Sequence, residues 1–404
     1  MTLYRSIAVM AVTLIGCQEH QTRISRESPT NLADSEIPVA PADTAWPDPA
    51  PHRSGFVFSS GVRIHYLDFG GQGEPMVFLT GLGSSAHIFD DFAPRFTDRF
   101  RVVAMTRRGH AESDRPKDGY TLDRLVDDLK AVLDTLGFRR ATLVGHSIAG
   151  GELTLFANRF PGRVARLIYL DAVLATDGLE QIVAEDTIRV RATENDLASY
   201  QSARAWFERC FFGTWSTALE ADFRLNTTSS HVTDRILKDA ERNPLWRQSY
   251  TAIRSPTLVL YTLATLERRR PCVASLPDKE RVQRAEAYLR DVFRPYQLAR
   301  VRRLQREMPH ARVIELQGHH FLFISNEDEV VQEMREFLSA PMKPSSADYR
   351  LTWYANFTKN PSFTRARRDQ LNSASLSIEL PYPRKATVPG VGSYEASRST
   401  RSPL

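Results

Sequence analysis

Seven short apolar segments recur along the middle of the chain, separated by stretches with helical patterning. They are rich in Val, Ile, Leu and aromatic residues, as strands typically are. The segments are VRIHYLDFG (62–70), PMVFLT (75–80), FRVVAMT (100–106), ATLVGH (141–146), RLIYL (166–170), PTLVLYT (256–262) and RVIELQ (312–317). Strands that are apolar throughout and alternate with helices are typical of a parallel sheet covered on both faces. The sequence therefore predicts an α/β fold with a mostly parallel central sheet.

The intervening segments supply the helices. Residues 121–137 place Leu or Val at helical spacing along one face, and Gly137 ends the pattern. Residues 172–253 form a longer helical interruption with eight aromatics between Tyr200 and Trp246. We expect this stretch to be a helical lid over the sheet. A second helical interruption, rich in Arg and Glu, runs from 263 to 310.

The first 16 residues have the pattern of an export signal: Arg5, then the apolar run SIAVMAVTLIG. That run is too short to span a bilayer, which takes about 20 residues. It ends in Leu-Ile-Gly-Cys17, which resembles a bacterial lipobox and implies acylation at Cys17. By the same resemblance, Gln18 favours the outer membrane, with the protein lipid-anchored and facing the periplasm. The alternative is an ordinary signal peptide followed by a chance cysteine.

Residues 17–52 contain six prolines and no apolar period, which predicts a tether between membrane and domain. The domain is expected over 53–340, and 341–404 form a basic tail rich in Ser, Arg and Pro that we expect to be poorly ordered. The tail has ten Lys/Arg against four Asp/Glu, so the rest of the chain carries a net charge near −1. Because the excess of basic residues lies in the tail, the net charge of the chain does not indicate a nucleic-acid partner for the domain. The oligomeric state is not indicated.

Cys210 and Cys272 would both be exposed to an oxidising compartment after export. A bridge between them would close a long loop, worth roughly 4 kcal/mol if unstrained. Two buried free thiols are the alternative, and the sequence does not choose between them.

The segment GHSIA (145–149) raises the question of a nucleophile at Ser147. It follows a predicted strand and precedes a predicted helix, so a sharp turn would expose the serine hydroxyl. The N-terminus of the following helix would direct backbone N–H groups toward a developing negative oxygen. A serine hydroxyl nevertheless needs a base and oxyanion donors before it becomes reactive.

With these features the chain resembles the α/β-hydrolase superfamily over roughly residues 53–340. The resemblance implies an oxyanion hole made by the backbone N–H groups of Leu82 and Ile148. Thr80 stands where the family commonly has His, so the chain lacks a side chain that usually supports this loop, while the backbone donor is kept. The family also implies that the loop TRRGHAESDRP (106–116) shapes the pocket wall. His87 and His110 lie in loops near the expected pocket, and they are interpreted as unpaired surface histidines, with substrate contact as the alternative.

The base is expected late in the chain, in QGHHFLF. The resemblance places His320 at the catalytic position, with its neighbour His319 as the alternative. Because no Cys or carboxylate lies at ligand spacing near this pair, no metal site is predicted. No cofactor is predicted either.

The acid is where the chain departs from the common pattern. Most members place it after the strand equivalent to 256–262, but here only Glu267 follows. Some members place it one strand earlier, where Asp171 ends RLIYLDA. Asp171 is the preferred candidate, Glu267 the alternative, and an absent acid the third possibility.

The expected activity is hydrolysis of a carboxylic ester or related acyl bond through a Ser147–His320–Asp171 triad and an acyl-enzyme. The ligand would be a small molecule, with the lid aromatics lining an apolar pocket or simply packing lid on core. The alternatives are a lactonase, C–C bond hydrolase, perhydrolase or acyltransferase using the same triad. A binding lipoprotein with a decayed site is a further alternative.

Overall fold

The computed structural model describes residues 50–172, 190, 192–225, 230–263, 265–269 and 271–340. The predicted signal peptide (1–16), the lipidation site Cys17, most of the tether (17–52) and the basic tail (341–404) lie outside them. Among the described helices, none is long and apolar enough to cross a membrane.

One eight-stranded sheet forms the centre of the fold, in the order β1-β2-β4-β3-β5-β6-β7-β8. The strand β2 runs antiparallel to both β1 and β4, and the neighbouring pairs from β4 to β8 are all parallel. The strands are β1 (Arg53–Ser59), β2 (Val62–Gly70), β3 (Glu74–Leu79), β4 (Phe100–Met105), β5 (Ala141–His146), β6 (Val164–Leu170), β7 (Thr257–Thr262) and β8 (Arg312–Leu316). The predicted α/β class and mostly parallel sheet are confirmed.

Helices follow or separate the strands, as predicted. The α-helices are α1 (Leu122–Thr135), α2 (Ala149–Arg159), α3 (Tyr200–Phe207), α4 (Thr217–Leu225), α5 (Ser230–Arg242), α6 (Leu266–Arg269), α7 (Pro271–Ala274), α8 (Lys279–Tyr288), α9 (Arg294–Glu307), α10 (Leu322–Ser325) and α11 (Glu327–Ser339). The helices α3, α4 and α5 fall within the predicted lid, 172–253. The lid's full extent also includes 173–189, 191 and 226–229, which lie outside the described residues.

Two large hydrophobic clusters pack on the sheet, one on each face, and a smaller third cluster joins helices α6, α7 and α8. Alternation along β3 shows this directly, because Met76 and Phe78 pack in one cluster and Val77 and Leu79 in the other. The second cluster includes the apolar face of α1, and the first includes the aromatics of α3 and α4. The central strands β5 and β6 are buried along their whole length, which explains their unbroken apolar sequence.

The strand β1 was not predicted. It pairs with β2 at the edge of the sheet, and its sequence RSGFVFS is only partly buried. Phe56 and Phe58 are 43% and 69% exposed. An edge strand with polar residues and exposed aromatics does not show the apolar run by which the other seven are recognised.

Candidate active site

Ser147 stands on the turn between β5 and α2. Its backbone has φ of 55°, in the left-handed region that is strained for a serine. Close packing around the turn requires small residues: a Cβ added to Gly150 would lie 1.7 Å from the carbonyl oxygen of Ala172. The short motif therefore folds as a tight strand–turn–helix elbow with the serine at its apex.

The side chains of Ser147, His320 and Asp171 form one hydrogen-bonded chain. Ser147 Oγ lies 2.9 Å from His320 Nε2, and His320 Nδ1 lies 2.6 Å from Asp171 Oδ2. Because a carboxylate can only accept, Nδ1–H donates to Asp171, which leaves Nε2 free to accept the serine proton. The geometry brings together the three residues that the sequence put forward from segments far apart in the chain.

Asp171 is held as an anion directly after β6. Burial alone would raise its pKa, but the hydrogen bond and charge of His320 hold the pKa below its ordinary value. The Thr262 backbone N–H donates to Oδ1 at 3.2 Å, and the Thr262 hydroxyl donates to Oδ2 at 3.3 Å. The carboxylate is thereby oriented toward the imidazole.

The two alternatives named from the sequence occupy other places. Glu267 is exposed on the short helix α6 and makes no contact with His320 among the described residues. His319 is buried, and its Nδ1 accepts the backbone N–H of Phe321 at 3.2 Å while the two rings stack. His319 therefore supports the loop on which His320 sits.

The backbone N–H groups of Leu82 and Ile148 lie on the two segments that meet at the elbow. A Cβ added to Gly81 would lie 2.6 Å from His146 Nδ1 and 3.4 Å from Ser147 Cβ, so the loop after β3 is packed against the turn at Ser147. Among the described residues, neither N–H donates to another protein group. Two buried donors beside the serine can receive an oxygen from a ligand.

A buried ion pair that the sequence analysis missed braces this loop. Arg107 Nε donates to Glu152 of α2 at 2.9 Å. The same guanidinium donates to the carbonyl of Thr80 at 2.8 Å and to that of Gly81 at 3.1 Å. Arg107 therefore connects helix α2 with the loop that carries Leu82. The available signals were an Arg in the loop 106–116 and a Glu five residues after Ser147.

The expectation that His87 and His110 are unpaired surface residues is wrong. Both are buried. His110 Nδ1 donates to the carbonyl of Arg108 at 3.0 Å, and Nε2 accepts the backbone N–H of Gly83 at 3.2 Å. Burial lowers the pKa of His110 to about 3, so it stays neutral and keeps this acceptor. His87 belongs to a different polar cluster, described below.

Aromatic residues between α3 and α4 pack against the loop of His320. A π-helical turn, Glu208–Phe212, carries Phe211 and Phe212, whose ring centroids lie 6.1 and 5.1 Å from that of Phe321. Cys210 of the same turn forms a disulfide with Cys272 of α7. Of the two alternatives left open by the sequence, the bridge is the one present. It ties the turn to the segment that follows β7.

Comparison with known proteins agrees with this architecture. A family model described as alpha/beta hydrolase fold matches residues 74–266. The chain is 18% identical to E-2-(acetamidomethylene)succinate hydrolase in its crystal structure, with a TM-score of 0.52, covering 72% of this chain and all of the other. The predicted α/β-hydrolase fold is thereby confirmed, and the comparisons support the α/β-hydrolase superfamily.

Curated relatives match a shorter stretch. The bifunctional esterase/perhydrolase DCH of Acinetobacter calcoaceticus is 39% identical over 116 residues, which are 28% of this chain and 42% of that protein. Epoxide hydrolase 4 of Mus musculus is 36% identical over 115 residues, 28% of this chain and 32% of that one. The matched stretch spans less than half of either relative. The similarity therefore extends to hydrolases of more than one reaction class.

Proposed function

We propose that the protein is a serine hydrolase that cleaves a carboxylic ester or related acyl bond through a covalent acyl-enzyme. The observation that carries this proposal is the hydrogen-bonded chain from Ser147 Oγ through His320 to Asp171, at 2.9 and 2.6 Å. A serine hydroxyl is activated for attack when a base lies within hydrogen-bond reach of it and a carboxylate orients that base.

In the acylation step His320 Nε2 takes the proton from Ser147 as Oγ attacks the substrate carbonyl carbon. Asp171 stabilises the imidazolium that forms and holds its tautomer. The carbonyl oxygen becomes an oxyanion and accepts hydrogen bonds from the N–H groups of Leu82 and Ile148. The imidazolium then gives its proton to the leaving alkoxide, which departs as the alcohol.

Deacylation repeats these roles with water. His320 removes a proton from a water molecule, which attacks the acyl carbon attached to Ser147. The same two backbone donors hold the second oxyanion. Collapse of this intermediate breaks the bond to Ser147 Oγ, and the proton on His320 returns to the serine, with a carboxylic acid as product.

Because the chain is similar to an epoxide hydrolase, epoxide opening is a competing reaction to consider. Attack by Ser147 on an epoxide carbon would leave an ether on the serine. An ether has no carbonyl for water to attack, so the enzyme would stop after one turnover. Attack by an aspartate would leave an ester, which water can cleave. The serine at the elbow therefore favours an acyl substrate over an epoxide.

The surroundings of His320 favour an apolar acyl or alcohol group. Phe211 and Phe212 pack beside the histidine loop and are buried with Phe207 in one aromatic cluster. Aromatic side chains of this kind typically line small-molecule sites with few polar groups. Substrates with a hydrophobic side chain are therefore expected to react faster than short polar ones.

Perhydrolysis by the same triad is the second candidate. The name of the Acinetobacter relative, an esterase/perhydrolase, favours it. The acyl-enzyme would then be attacked by hydrogen peroxide instead of water, giving a peracid. Lactone hydrolysis, C–C bond hydrolysis and acyl transfer to an alcohol can also begin with attack by Ser147 on a carbonyl. These three reactions stay alternatives, to be tested in the substrate panel.

The decisive experiment is labelling with a fluorophosphonate probe, followed by intact mass and peptide mapping. We expect one adduct on Ser147 that is lost in Ser147→Ala and strongly slowed in His320→Ala. Glu267→Gln is the matched control and should label like the wild type. No adduct, under conditions where a control esterase labels fully, would favour the binding-protein alternative. A panel of p-nitrophenyl esters with and without peroxide then distinguishes the two candidate reactions.

We further propose that the protein is a lipid-anchored protein of the bacterial envelope, acylated at Cys17. The lipobox-like sequence supports this location, and the Cys210–Cys272 disulfide is compatible with an oxidising compartment. Metabolic labelling with an alkyne fatty acid should mark the wild-type protein, and Cys17→Ser should abolish the label. Equal labelling of the variant would contradict the proposal.

A further inference from the structure

Three potential metal-binding side chains outside the triad meet beside β2, where the rings of His52 and His87 contact those of Phe69 and His65. The ligand atoms of His52, His87 and Asp90 all lie within 4.8 Å of one another. His87 Nδ1 is 2.9 Å from Asp90 Oδ2, and His52 Nε2 is 3.7 Å from Asp90 Oδ1. The side chains are largely withdrawn from solvent: that of Asp90 is fully buried, and those of His87 and His52 are 5% and 10% exposed.

Local structure places two of these residues side by side. His87 lies in a 3₁₀ helix, Ala86–Phe89, and Asp90 is its C-terminal cap. Because a 3₁₀ helix has three residues per turn, side chains at i and i+3 lie on the same side. His52 then approaches from the segment just before β1, with its ring 5.3 Å from that of His87.

The second nitrogen of His87 also faces a carboxylate. His87 Nε2 lies 3.3 Å from Glu112 Oε1, so the imidazole stands between Asp90 on one side and Glu112 on the other. A neutral imidazole has one N–H and one lone pair, and it cannot donate to both carboxylates. A metal ion at Nδ1 resolves this, since Nε2–H then donates to Glu112. Metal-bound histidines typically donate their other N–H to a carboxylate in this way.

We propose that His52, His87 and Asp90 form a binding site for a divalent transition-metal ion, with Zn²⁺ the best fit. Two imidazoles and one carboxylate are ligands that Zn²⁺ favours. Ligand atoms around tetrahedral zinc lie about 3.3 Å apart. His87 Nδ1 and His52 Nε2 lie 2.9 and 3.7 Å from different oxygens of Asp90, and one ligand atom from each of the three residues lies within 4.8 Å of the others. Water would complete the coordination, and Glu112 would orient His87 from outside.

The site would join the segment before β1 to the loop that follows the oxyanion donor. That loop already contacts α4, since the backbone N–H and the hydroxyl of Ser85 both donate to Asp222 at 2.7 and 2.6 Å. A metal ion would therefore add a second link to this loop, joining it to the segment before β1. Its role in this proposal is structural, independent of the reaction at Ser147.

The test is zinc binding by the tag-free full chain after removal of metal with a chelator. We expect one equivalent of zinc by isothermal titration with ZnCl₂, a rise in Tm, and no comparable response to MgCl₂. Replacement by Co²⁺ should give visible ligand-field absorption typical of a tetrahedral site. His52→Gln should weaken zinc binding at least tenfold. It is the preferred variant because His52 lies before the first strand.

His310→Gln is the matched control, since His310 is an exposed histidine away from the cluster. It should bind zinc within twofold of the wild type. Asp90→Asn provides a second variant, with circular dichroism and gel filtration as the check that each variant folds. Absence of stoichiometric zinc binding, or equal binding by the wild type and a folded His52→Gln, would overturn the proposal in favour of a metal-free network of protonated histidine and carboxylates.

Discussion

His146 donates its Nε2–H to the backbone carbonyl of His320, at 3.0 Å. The residue immediately before Ser147 thus holds the loop that carries His320, the proposed base. Burial, aided by the charge of His320, keeps the pKa of His146 well below its ordinary value, so the ring stays neutral. The rings of His146 and His320 are 4.7 Å apart, in close contact.

The first prediction concerns this contact. His146→Leu leaves the carbonyl of His320 without its donor, and the imidazole should lose its fixed position. We expect kcat to fall by roughly tenfold or more with KM nearly unchanged, because misplacement of the base affects the transition state rather than binding. Steady-state kinetics on a p-nitrophenyl ester measure this. A change confined to KM would contradict a positioning role.

Asp171→Asn should reduce kcat by about 10⁴-fold, since an amide stabilises the wrong imidazole tautomer. Glu267→Gln, on the exposed helix α6, should stay within twofold of the wild type. Steady-state kinetics measure kcat for the two variants, and circular dichroism shows whether both fold. Equal effects of the two substitutions would remove Asp171 from the proposed triad.

Arg107→Met leaves Glu152 buried and unpaired, which should destabilise the fold by about 3–5 kcal/mol. The double variant Arg107→Met/Glu152→Met should recover most of that stability, because no charge remains buried. Its activity should stay low, since the carbonyls of Thr80 and Gly81 have lost their donor. Urea unfolding and ester kinetics on the same samples separate the two effects. Full activity in the double variant would exclude the bracing role.

Thr80→Val should stabilise the protein. The Thr80 hydroxyl is buried and has no hydrogen-bond partner in the described part of the chain. Removing an unsatisfied hydroxyl should gain about 1 kcal/mol, or roughly 2–4 °C in Tm. Thr154→Val is the matched control and should lower Tm, because its hydroxyl donates to the Gly150 carbonyl at 2.7 Å. A lower Tm for Thr80→Val would show that its hydroxyl is satisfied.

His110 predicts a loss of stability in acid. Its pKa is about 3 in the folded state, against an ordinary value of 6.5. Between these values the unfolded chain binds a proton that the folded chain does not. The contribution of neutral, buried His110 to the free energy of unfolding is therefore complete above pH 6.5 and is lost as the pH falls toward 3. His110→Gln should flatten the dependence of unfolding free energy on pH by up to about 1.4 kcal/mol per unit. His310→Gln should keep the wild-type slope, and an unchanged slope in His110→Gln would contradict the assignment.

Local patterns were enough to predict most of the fold. The central strands, such as β5 and β6, were recognised because both of their faces are buried and their sequences are apolar throughout. The edge strand β8 was recognised from its sequence, although only Leu316 in it is fully buried. The edge strand β1 was missed because Phe56 and Phe58 face solvent and no apolar run marks it. Ser147 was found because its constraint is local: a serine between a strand and a helix.

The contacts across the chain were harder to predict. Asp171 and Glu267 were both acceptable in sequence, and only the position of β6 beside β7 brings Asp171 to His320. The partner of Arg107 depends on where α2 packs, and the burial of His87 and His110 depends on the loops that cover them. The Cys210–Cys272 pair needed a Cα separation of 4.7 Å, which no sequence spacing can supply.

The same disulfide would form only where the compartment is oxidising. Under the proposed export, the polypeptide is reduced in the cytosol and lacks a cross-link worth roughly 4 kcal/mol. A weaker fold at that stage favours passage through the membrane as an extended chain. Oxidation on the far side then fastens the turn of Phe211 and Phe212 beside His320. If the protein is exported as proposed, this cross-link beside His320 would form only after delivery.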